Sequence, residues 1–177
     1  MKLSELYTGN KPVISFEVYP PKTDEGIDKL MGELKKLKVF DPAFISVTYG
    51  AGGTTQGRSL IVIKRIMDEL GLITIPHFTC IGSDKESILS FVNVIEGLGL
   101  KNILALRGDP PKDKTYYHPE KNVFHYASEL VAFLKANTDL EIAVAGYPEV
   151  HPQAKSLDED LTHLNEKIKA GASLIMT

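Results

Sequence analysis

Residues 102–111 read NILALRGDPP, a short apolar run that gives way at once to opposite charges, a glycine and a proline pair. An uninterrupted apolar run of this length is typical of a strand covered on both faces, which is the rule in parallel sheets. Arg107 and Asp109 follow where the strand ends, and the glycine and prolines beside them shape a fixed loop. The stretch predicts a buried parallel strand whose carboxyl end carries side chains that can bind a ligand.

The same alternation of a short apolar run and a longer segment with helical spacing continues along the chain. Apolar residues three and four positions apart predict helices packed on a sheet, the last two at about residues 124–134 and 157–170. The first strands recur about every 30 residues, the length of one βα unit. The 177 residues contain no linker or low-complexity tract, so a single α/β domain over 1–177 is expected. The predicted strands lie at residues 13–18, 44–48, 72–80, 102–106, 141–145 and 173–177.

Repeated βα units fit either an open doubly wound sheet or a closed barrel. An open sheet concentrates its site at one switch point, whereas a barrel draws groups from many strand ends, so the polar residues at successive strand ends favour the (β/α)8 or TIM barrel family. The chain ends inside the sixth strand, about 70 residues short of the roughly 250 of a typical barrel, so about six βα units and an incomplete barrel are expected. Those polar residues are Glu17, Thr48, His77, Arg107 with Asp109, and Tyr147 with His151.

Composition and charge disfavour several classes of function. The 20 basic and 23 acidic residues give a formal net charge of -3, so nucleic acid is not an expected partner. No segment approaches about 20 uninterrupted apolar residues and the amino terminus lacks a secretory signal, so a cytoplasmic protein without membrane association is expected. The single cysteine, Cys80, cannot form an internal disulfide, and its apolar neighbours predict a buried thiol.

Residues 15–21, SFEVYPP, place a carboxylate in an apolar strand that a proline pair ends. Desolvation by such neighbours would favour the protonated form of Glu17, which is the property that a general acid needs. The alternative is a structural carboxylate paired with a nearby Lys or Arg. At the fourth strand end, the alternative to ligand binding is an ion pair between Arg107 and Asp109, which would add only about 0–1 kcal/mol if exposed.

The remaining strand ends carry weaker signals. Residues 46–55, SVTYGAGGTT, run into a loop of small residues that a ligand can approach closely, but neither GxxxxGK[ST] nor GxGxxG occurs. A lone imidazole such as His77 is as often structural as functional, and a zinc site shared with His151 lacks any HxH or HExxH pair, so no metal is predicted. Tyr147 stands between a glycine and a proline and can stack on a planar ring.

Six segments, taken together and in order, resemble the methylenetetrahydrofolate reductase family. The resemblance covers nearly all of the chain after about residue 13, and the combination of RGDPP with YPEVHP is its most specific part. The segments are FEVYPPKT, SVTYGAGGTT, PHFTCIG, ILALRGDPP, AGYPEVHPQAKS and DLTHLNEKIKAGASLIMT.

This resemblance implies a barrel flavoenzyme that holds FAD without a dinucleotide-binding fingerprint. NADH or NADPH would reduce the flavin, which would reduce 5,10-methylenetetrahydrofolate to 5-methyltetrahydrofolate in one-carbon metabolism and methionine biosynthesis. The implied enzyme is a methylenetetrahydrofolate reductase [NAD(P)H], an oxidoreductase acting on CH–NH donors. Its implied partners are the folate, the nicotinamide cofactor and further copies of the chain in a homo-oligomer.

The resemblance also implies roles for individual residues. Glu17 matches the family's acid, which protonates the leaving nitrogen and promotes opening of the substrate's five-membered ring to an iminium. Asn165 departs from the family, many members of which carry Lys there. Since the family continues into a further strand that contacts nicotinamide and folate, two alternatives stay open: a truncated, non-catalytic flavin-binding fragment, or another barrel enzyme such as a metal-dependent lyase or hydrolase using His77 and His151. The implied flavin-site residues are Thr48, Tyr49, Ala51, His77, Arg107, Gly108, Asp109, Ala127, Tyr147, His151, Asp160 and Lys167.

Overall fold

The computed structural model describes residues 1–9, 12–49, 56–110 and 122–177. Its sheet has six parallel strands in the order of the sequence, so each strand pairs with the next one along the chain. A doubly wound sheet reverses its strand order at a switch point, whereas a barrel does not. The predicted TIM barrel class is confirmed, with six strands curled into part of a barrel. The strands are β1 (Ser15–Val18), β2 (Phe44–Val47), β3 (Ile73–Thr79), β4 (Asn102–Leu106), β5 (Glu141–Ala145) and β6 (Leu174–Met176).

A helix follows each of the first five strands. Three of the helices begin at a side-chain cap, where Thr23, Asp84 or Ser156 accepts a hydrogen bond from a backbone N–H three residues ahead. The helices are α1 (Asp24–Leu37), α2 (Gln56–Arg65, continued by a π-helical turn, Ile66–Leu70), α3 (Lys85–Gly97), α4 (Ala127–Asn137) and α5 (Leu157–Ala170), with 3₁₀ helices at Leu3–Tyr7 and Lys38–Phe40.

The fourth helix begins later than predicted. The apolar pattern suggested a start at about residue 124, but the Glu129 carboxylate accepts hydrogen bonds from the backbone N–H groups of His125 and Tyr126. A carboxylate reaching back in this way caps the first turn and fixes the start at Ala127. Phe124 still packs in the core, which explains why it fitted the helical period.

The strands bury apolar residues on both faces, as predicted for a parallel sheet. The outer face packs against the helices in one large core cluster, to which Ile45, Phe78 and Val144 belong. The inner, concave face carries a smaller cluster in which Phe44 and Ile75 are among the fully buried residues. Because alternate residues of a strand face opposite sides, the polar residues that share the parity of Phe44 and Ile75 lie on the concave face.

The amino ends of the strands are closed by the amino-terminal 3₁₀ helix, Leu3–Tyr7. Its Leu3 side chain is buried in the inner cluster. The Leu3 N–H donates to Asn102 Oδ1 at 2.8 Å, the Ser4 N–H donates to Glu141 Oε2 at 2.8 Å, and Asn102 Nδ2 donates to the Met1 carbonyl at 3.1 Å. Asn102 and Glu141 are register partners at the first positions of β4 and β5, so together they anchor this helix.

The predicted burial of Cys80 is confirmed. Its thiol is free and fully buried, and it lies 3.5 Å from the carbonyl oxygen of Arg107. Desolvation raises the pKa of the thiol to about 11. In the described ranges of the chain, no helix is long and apolar enough to cross a bilayer.

Candidate functional site

A cavity of about 470 Å³ opens at the carboxyl ends of β4 and β5, bounded by the start of α4 and by α5. This volume lies within the usual range for small-molecule pockets. Four separate segments of the chain supply its walls, and each contains residues expected to bind flavin. The expected residues that line the cavity are Arg107, Gly108, Asp109, Ala127, Tyr147, His151, Asp160 and Lys167.

The loop after β4 holds Arg107 and Gly108 in a fixed geometry. Gly108 has a φ of 81°, and a Cβ there would lie 2.7 Å from Thr79 Cβ, so the turn excludes any other residue. Arg107 donates from Nη1 to Gln153 Oε1 at 2.6 Å and from Nε to the Gly108 carbonyl at 3.3 Å. The alternative of an ion pair with Asp109 is therefore wrong, because the guanidinium turns toward the loop after β5.

That loop orients Tyr147 and His151 beside each other. Their ring centroids are 4.8 Å apart with an interplanar angle of 76°, an edge-to-face contact. The His151 backbone N–H donates to the Asp160 carboxylate at 3.0 Å, and the Gln153 N–H donates to His151 Nδ1 at 3.1 Å. Because Nδ1 accepts this hydrogen bond, Nε2 is the ring nitrogen left to contact a ligand.

Lys167 reaches the cavity from α5. Its ammonium donates to the Ala145 carbonyl at the end of β5, at 2.9 Å. Desolvation lowers the pKa of Lys167, an effect that Asp160 opposes and Arg107 reinforces. Arg107 and Lys167 thus place two cationic groups in one cavity wall, and Asp109 and Asp160 line the same cavity.

Glu17 and His77 form a second polar group on the concave face. Glu17 Oε2 on β1 lies 3.5 Å from His77 Nε2 on β3, and the side chains are 45% and 6% exposed respectively. Desolvation lowers the pKa of His77, and the Glu17 carboxylate partly offsets this. The expected burial of the Glu17 carboxylate among apolar neighbours is wrong, since its side chain is half exposed, and its partner is an imidazole rather than the Lys or Arg of the structural alternative.

The alternation of strand side chains explains the exposure of Glu17. Phe16 turns to the opposite side and packs edge-to-face with Phe40, and Val18 lies in the outer core cluster. The apolar neighbours therefore leave the Glu17 carboxylate free to face the open, concave side of the sheet.

Three residues expected at the flavin site remain, Thr48, Tyr49 and Ala51. The Thr48 N–H donates to the Val18 carbonyl at 3.0 Å and continues the pairing of β1 with β2. The Tyr49 ring packs in the outer core, with its centroid 5.0 Å from Phe78, and burial raises its pKa. The structure thus places Tyr49 away from the cavity, while Ala51 lies outside the described residues.

Sequence reasoning missed several residues that line the cavity. The rings of Tyr126 and His163 stack with an interplanar angle of 10°, and Gln153 accepts a hydrogen bond from Arg107. Polar residues of α5 recur at three- and four-residue spacing, a signal that could have indicated one helix face at the site. The missed residues are Tyr126, Ser128, Gln153, Ala154, Glu159, His163 and Glu166.

The metal-dependent alternative required His77 and His151 to share a site. His77 instead faces Glu17, and His151 is fixed by its contacts with Gln153 and Asp160. Among the residues that the structure describes, no three His, Cys, Asp or Glu side chains are grouped so that they could hold a metal ion.

A family model described as methylenetetrahydrofolate reductase matches residues 2–177. The chain belongs to this family. The 5,10-methylenetetrahydrofolate reductase of Escherichia coli K12 is 41% identical over 164 residues, which cover 93% of this chain and 53% of that protein. The probable methylenetetrahydrofolate reductase (NADH) of Oryza sativa subsp. japonica is 35% identical over 187 residues, covering 99% of this chain and 32% of that protein. The chain therefore spans about half the length of the bacterial reductase and a third of the plant one.

Solved structures support the same fold at low sequence identity. A putative phosphonomutase from Burkholderia cenocepacia J2315 superposes with a TM-score of 0.59 at 13% identity, covering 93% of this chain and 68% of that one. A likeness at this identity shows the fold alone. Membership of the reductase family rests on the sequence comparisons.

Proposed function

We propose that the protein catalyses the reduction of 5,10-methylenetetrahydrofolate to 5-methyltetrahydrofolate with FAD as its cofactor, as a cytoplasmic enzyme of one-carbon metabolism. The observation that carries the proposal is the cavity, which is lined by eight of the residues matched to the flavin site, drawn from four segments of the chain. Family membership supports the reaction. The name of the rice relative, which includes NADH, supports a nicotinamide reductant.

The residues around the cavity fit FAD. Arg107 and Lys167 can neutralise the charge of a diphosphate, and His151 has its Nε2 left to hydrogen-bond a ligand. The Tyr147 ring is 50% exposed and offers a face to a planar ring system. Gly108 lets the backbone of the loop after β4 turn close to β3 without a side chain in the way. When bound, FAD supplies the hydride chemistry that no protein side chain can provide.

Glu17 is the proposed general acid. Its half-exposed carboxyl group faces the concave side of the sheet, where a substrate can reach it. Transfer of its proton to the leaving nitrogen of the folate would promote opening of the five-membered ring, so that the bridging carbon becomes a better hydride acceptor. Asp109 lies in the wall of the neighbouring cavity and is the proposed contact between cofactor site and folate site.

The absorbance of the purified protein, expressed with its complete chain, tests this proposal. We expect the visible bands of an oxidised flavin, and oxidation of NADH or NADPH that depends on added methylenetetrahydrofolate. Absence of both would contradict the proposal. Bound flavin without turnover would support the flavin-binding fragment instead and would contradict the catalytic part alone.

A further inference from the structure

Two buried side-chain atoms lack a hydrogen-bond partner in the described part of the chain, and both belong to β3. They are Thr74 Oγ1 and His77 Nε2. An unsatisfied polar atom in a protein interior is costly, so its retention needs a specific explanation. Thr74 lies near the amino end of its strand, whereas His77 lies near the carboxyl end with its free nitrogen toward Glu17.

His77 on β3 and Glu17 on β1 face each other across the intervening strand, β2. Ser46 of β2 is the register partner of Glu17, and its small side chain leaves room for the two larger groups to approach. The 3.5 Å separation of Nε2 and Oε2 is longer than a good hydrogen bond. Catalytic hydrogen bonds are often long in an enzyme without its ligands and tighten when the substrate binds.

We propose that His77 is a positioning residue that holds the Glu17 carboxyl group in one orientation both before and after it gives up its proton. A neutral imidazole with its proton on Nε2 can do this, because an N–H donor can bond to an oxygen of the carboxyl group or of the carboxylate. In the acid form, Nε2–H donates to one carboxyl oxygen and leaves the O–H on the other oxygen for the substrate, and after proton transfer it donates to the same oxygen of the carboxylate. The inference rests on the proposed function, in which Glu17 is the acid.

The surroundings of His77 keep its imidazole neutral. Its register partner on β4 is Leu104, and β2 contributes the uncharged Ser46 and Thr48 on the near side. The Glu17 carboxylate, 3.5 Å from Nε2, partly offsets the effect of burial on the pKa of His77. Burial disfavours the imidazolium ion and lowers the pKa of His77, so the ring acts as a neutral hydrogen-bond donor to Glu17.

Substitutions at position 77 test the proposal in the full-length, flavin-loaded enzyme. His77→Gln keeps an amide that can donate or accept near the position of Nε2, whereas His77→Leu removes both abilities. We expect His77→Leu to slow flavin reoxidation by the folate about tenfold or more, and His77→Gln to stay within about threefold of the parent. Flavin reduction by the nicotinamide cofactor should slow by a smaller factor than reoxidation in His77→Leu, because that step does not use Glu17. Thr74→Val, on the same strand, is the matched control and should leave both half-reactions unchanged.

Two kinetic outcomes would overturn the proposal. One is equal slowing of both half-reactions in His77→Leu, which would make the imidazole a flavin contact only. The other is equal behaviour of His77→Gln and His77→Leu. If the parent protein shows neither flavin nor folate reduction, the proposed function itself fails, and the spectroscopic measurement below still tests the pairing.

Nuclear magnetic resonance of the imidazole gives that readout without turnover. We expect the ¹⁵N shifts of His77 to show a pH-dependent step that requires the neighbouring Glu17 carboxyl group. In Glu17→Gln this step should vanish. His77 shifts that follow the same pH curve in both proteins would overturn the pairing.

Discussion

The two ends of the strands use polar residues in opposite ways, and β4 shows both. At its amino end, Asn102 is buried and satisfied, since its amide group accepts from Leu3 and donates to Met1. At its carboxyl end, Arg107 follows the strand into an open cavity. On neighbouring β3, His77 Nε2 has no hydrogen-bond partner in the described residues. The amino end thus contributes satisfied contacts within the fold, whereas the carboxyl end leaves polar groups open at the cavity where we propose that a ligand binds.

The largest expected effect lies at the carboxyl end. Glu17→Gln should lower the rate of folate reduction by about 10²- to 10⁴-fold, because the amide has no proton to give the leaving nitrogen. Flavin reduction by NADH or NADPH should stay close to normal, since that step needs no such acid. Stopped-flow absorbance measures both steps, and equal losses in the two would contradict the acid role.

A substitution at the amino end should affect stability and not ligand binding. Asn102→Ala removes two hydrogen bonds and leaves the Leu3 N–H buried without its partner. The free energy of unfolding should therefore fall by about 2–4 kcal/mol. Urea titration measures this change. Asn137→Ala, which loses one exposed hydrogen bond to Phe133, is the control and should cost less than about 1 kcal/mol. Flavin affinity that falls together with stability in Asn102→Ala would erase the distinction between the two ends.

Loss of a cation at the cavity should lower flavin affinity and leave stability nearly unchanged. Arg107→Ala should weaken flavin binding by about 1.5–3 kcal/mol, the usual contribution of a hydrogen bond to a charged group. Flavin fluorescence during titration of the apoprotein measures the affinity. Arg65→Ala is matched in residue type but sits on α2, where Arg65 pairs with Asp28 and Glu69. Equal flavin affinity in both variants would remove Arg107 from the proposed site.

The smallest expected effect is a pH dependence from His77. Burial lowers its pKa in the folded state, so the unfolded chain takes up a proton first as the pH falls. Stability should therefore fall below about pH 6.5, by at most about 1.4 kcal/mol per pH unit, and this contribution should be absent above that pH. Urea unfolding at about pH 7.5 and 5.5 measures it in the parent and in His77→Gln. An unchanged pH dependence in the variant would contradict the assignment.

Local patterns predicted the sheet well because its strands are continuous apolar runs. The bounds of β4 and β5 were predicted to the residue, and β2 was one residue too long. The amino-terminal 3₁₀ helix was missed because five residues are too few to show a helical period. Its anchors are contacts across about a hundred residues or more, between Leu3 and Asn102 and between Ser4 and Glu141, which no local pattern encodes.

Eight of the twelve residues expected at the flavin site line the cavity, and the environment of several residues was not predicted. Polar strand ends located Arg107, Asp109, Tyr147 and His151, since the carboxyl ends of parallel strands meet at one edge. The other expected cavity residues, Gly108, Ala127, Asp160 and Lys167, followed only from the family resemblance. The prediction that Glu17 is buried was wrong, because neighbouring residues in a strand face opposite sides of the sheet. Tertiary contacts place the Tyr49 ring in the core. They also bring Gln153, rather than Asp109, within hydrogen-bond distance of Arg107.

The central claim is that the carboxyl end binds a flavin that passes reducing equivalents from a nicotinamide to a folate. An anaerobic absorbance experiment on the full-length protein tests it most directly. The claim predicts that NADH or NADPH bleaches the flavin bands and that methylenetetrahydrofolate then restores them. Bands that the nicotinamide bleaches but the folate leaves bleached, or a protein that carries no flavin, would contradict it.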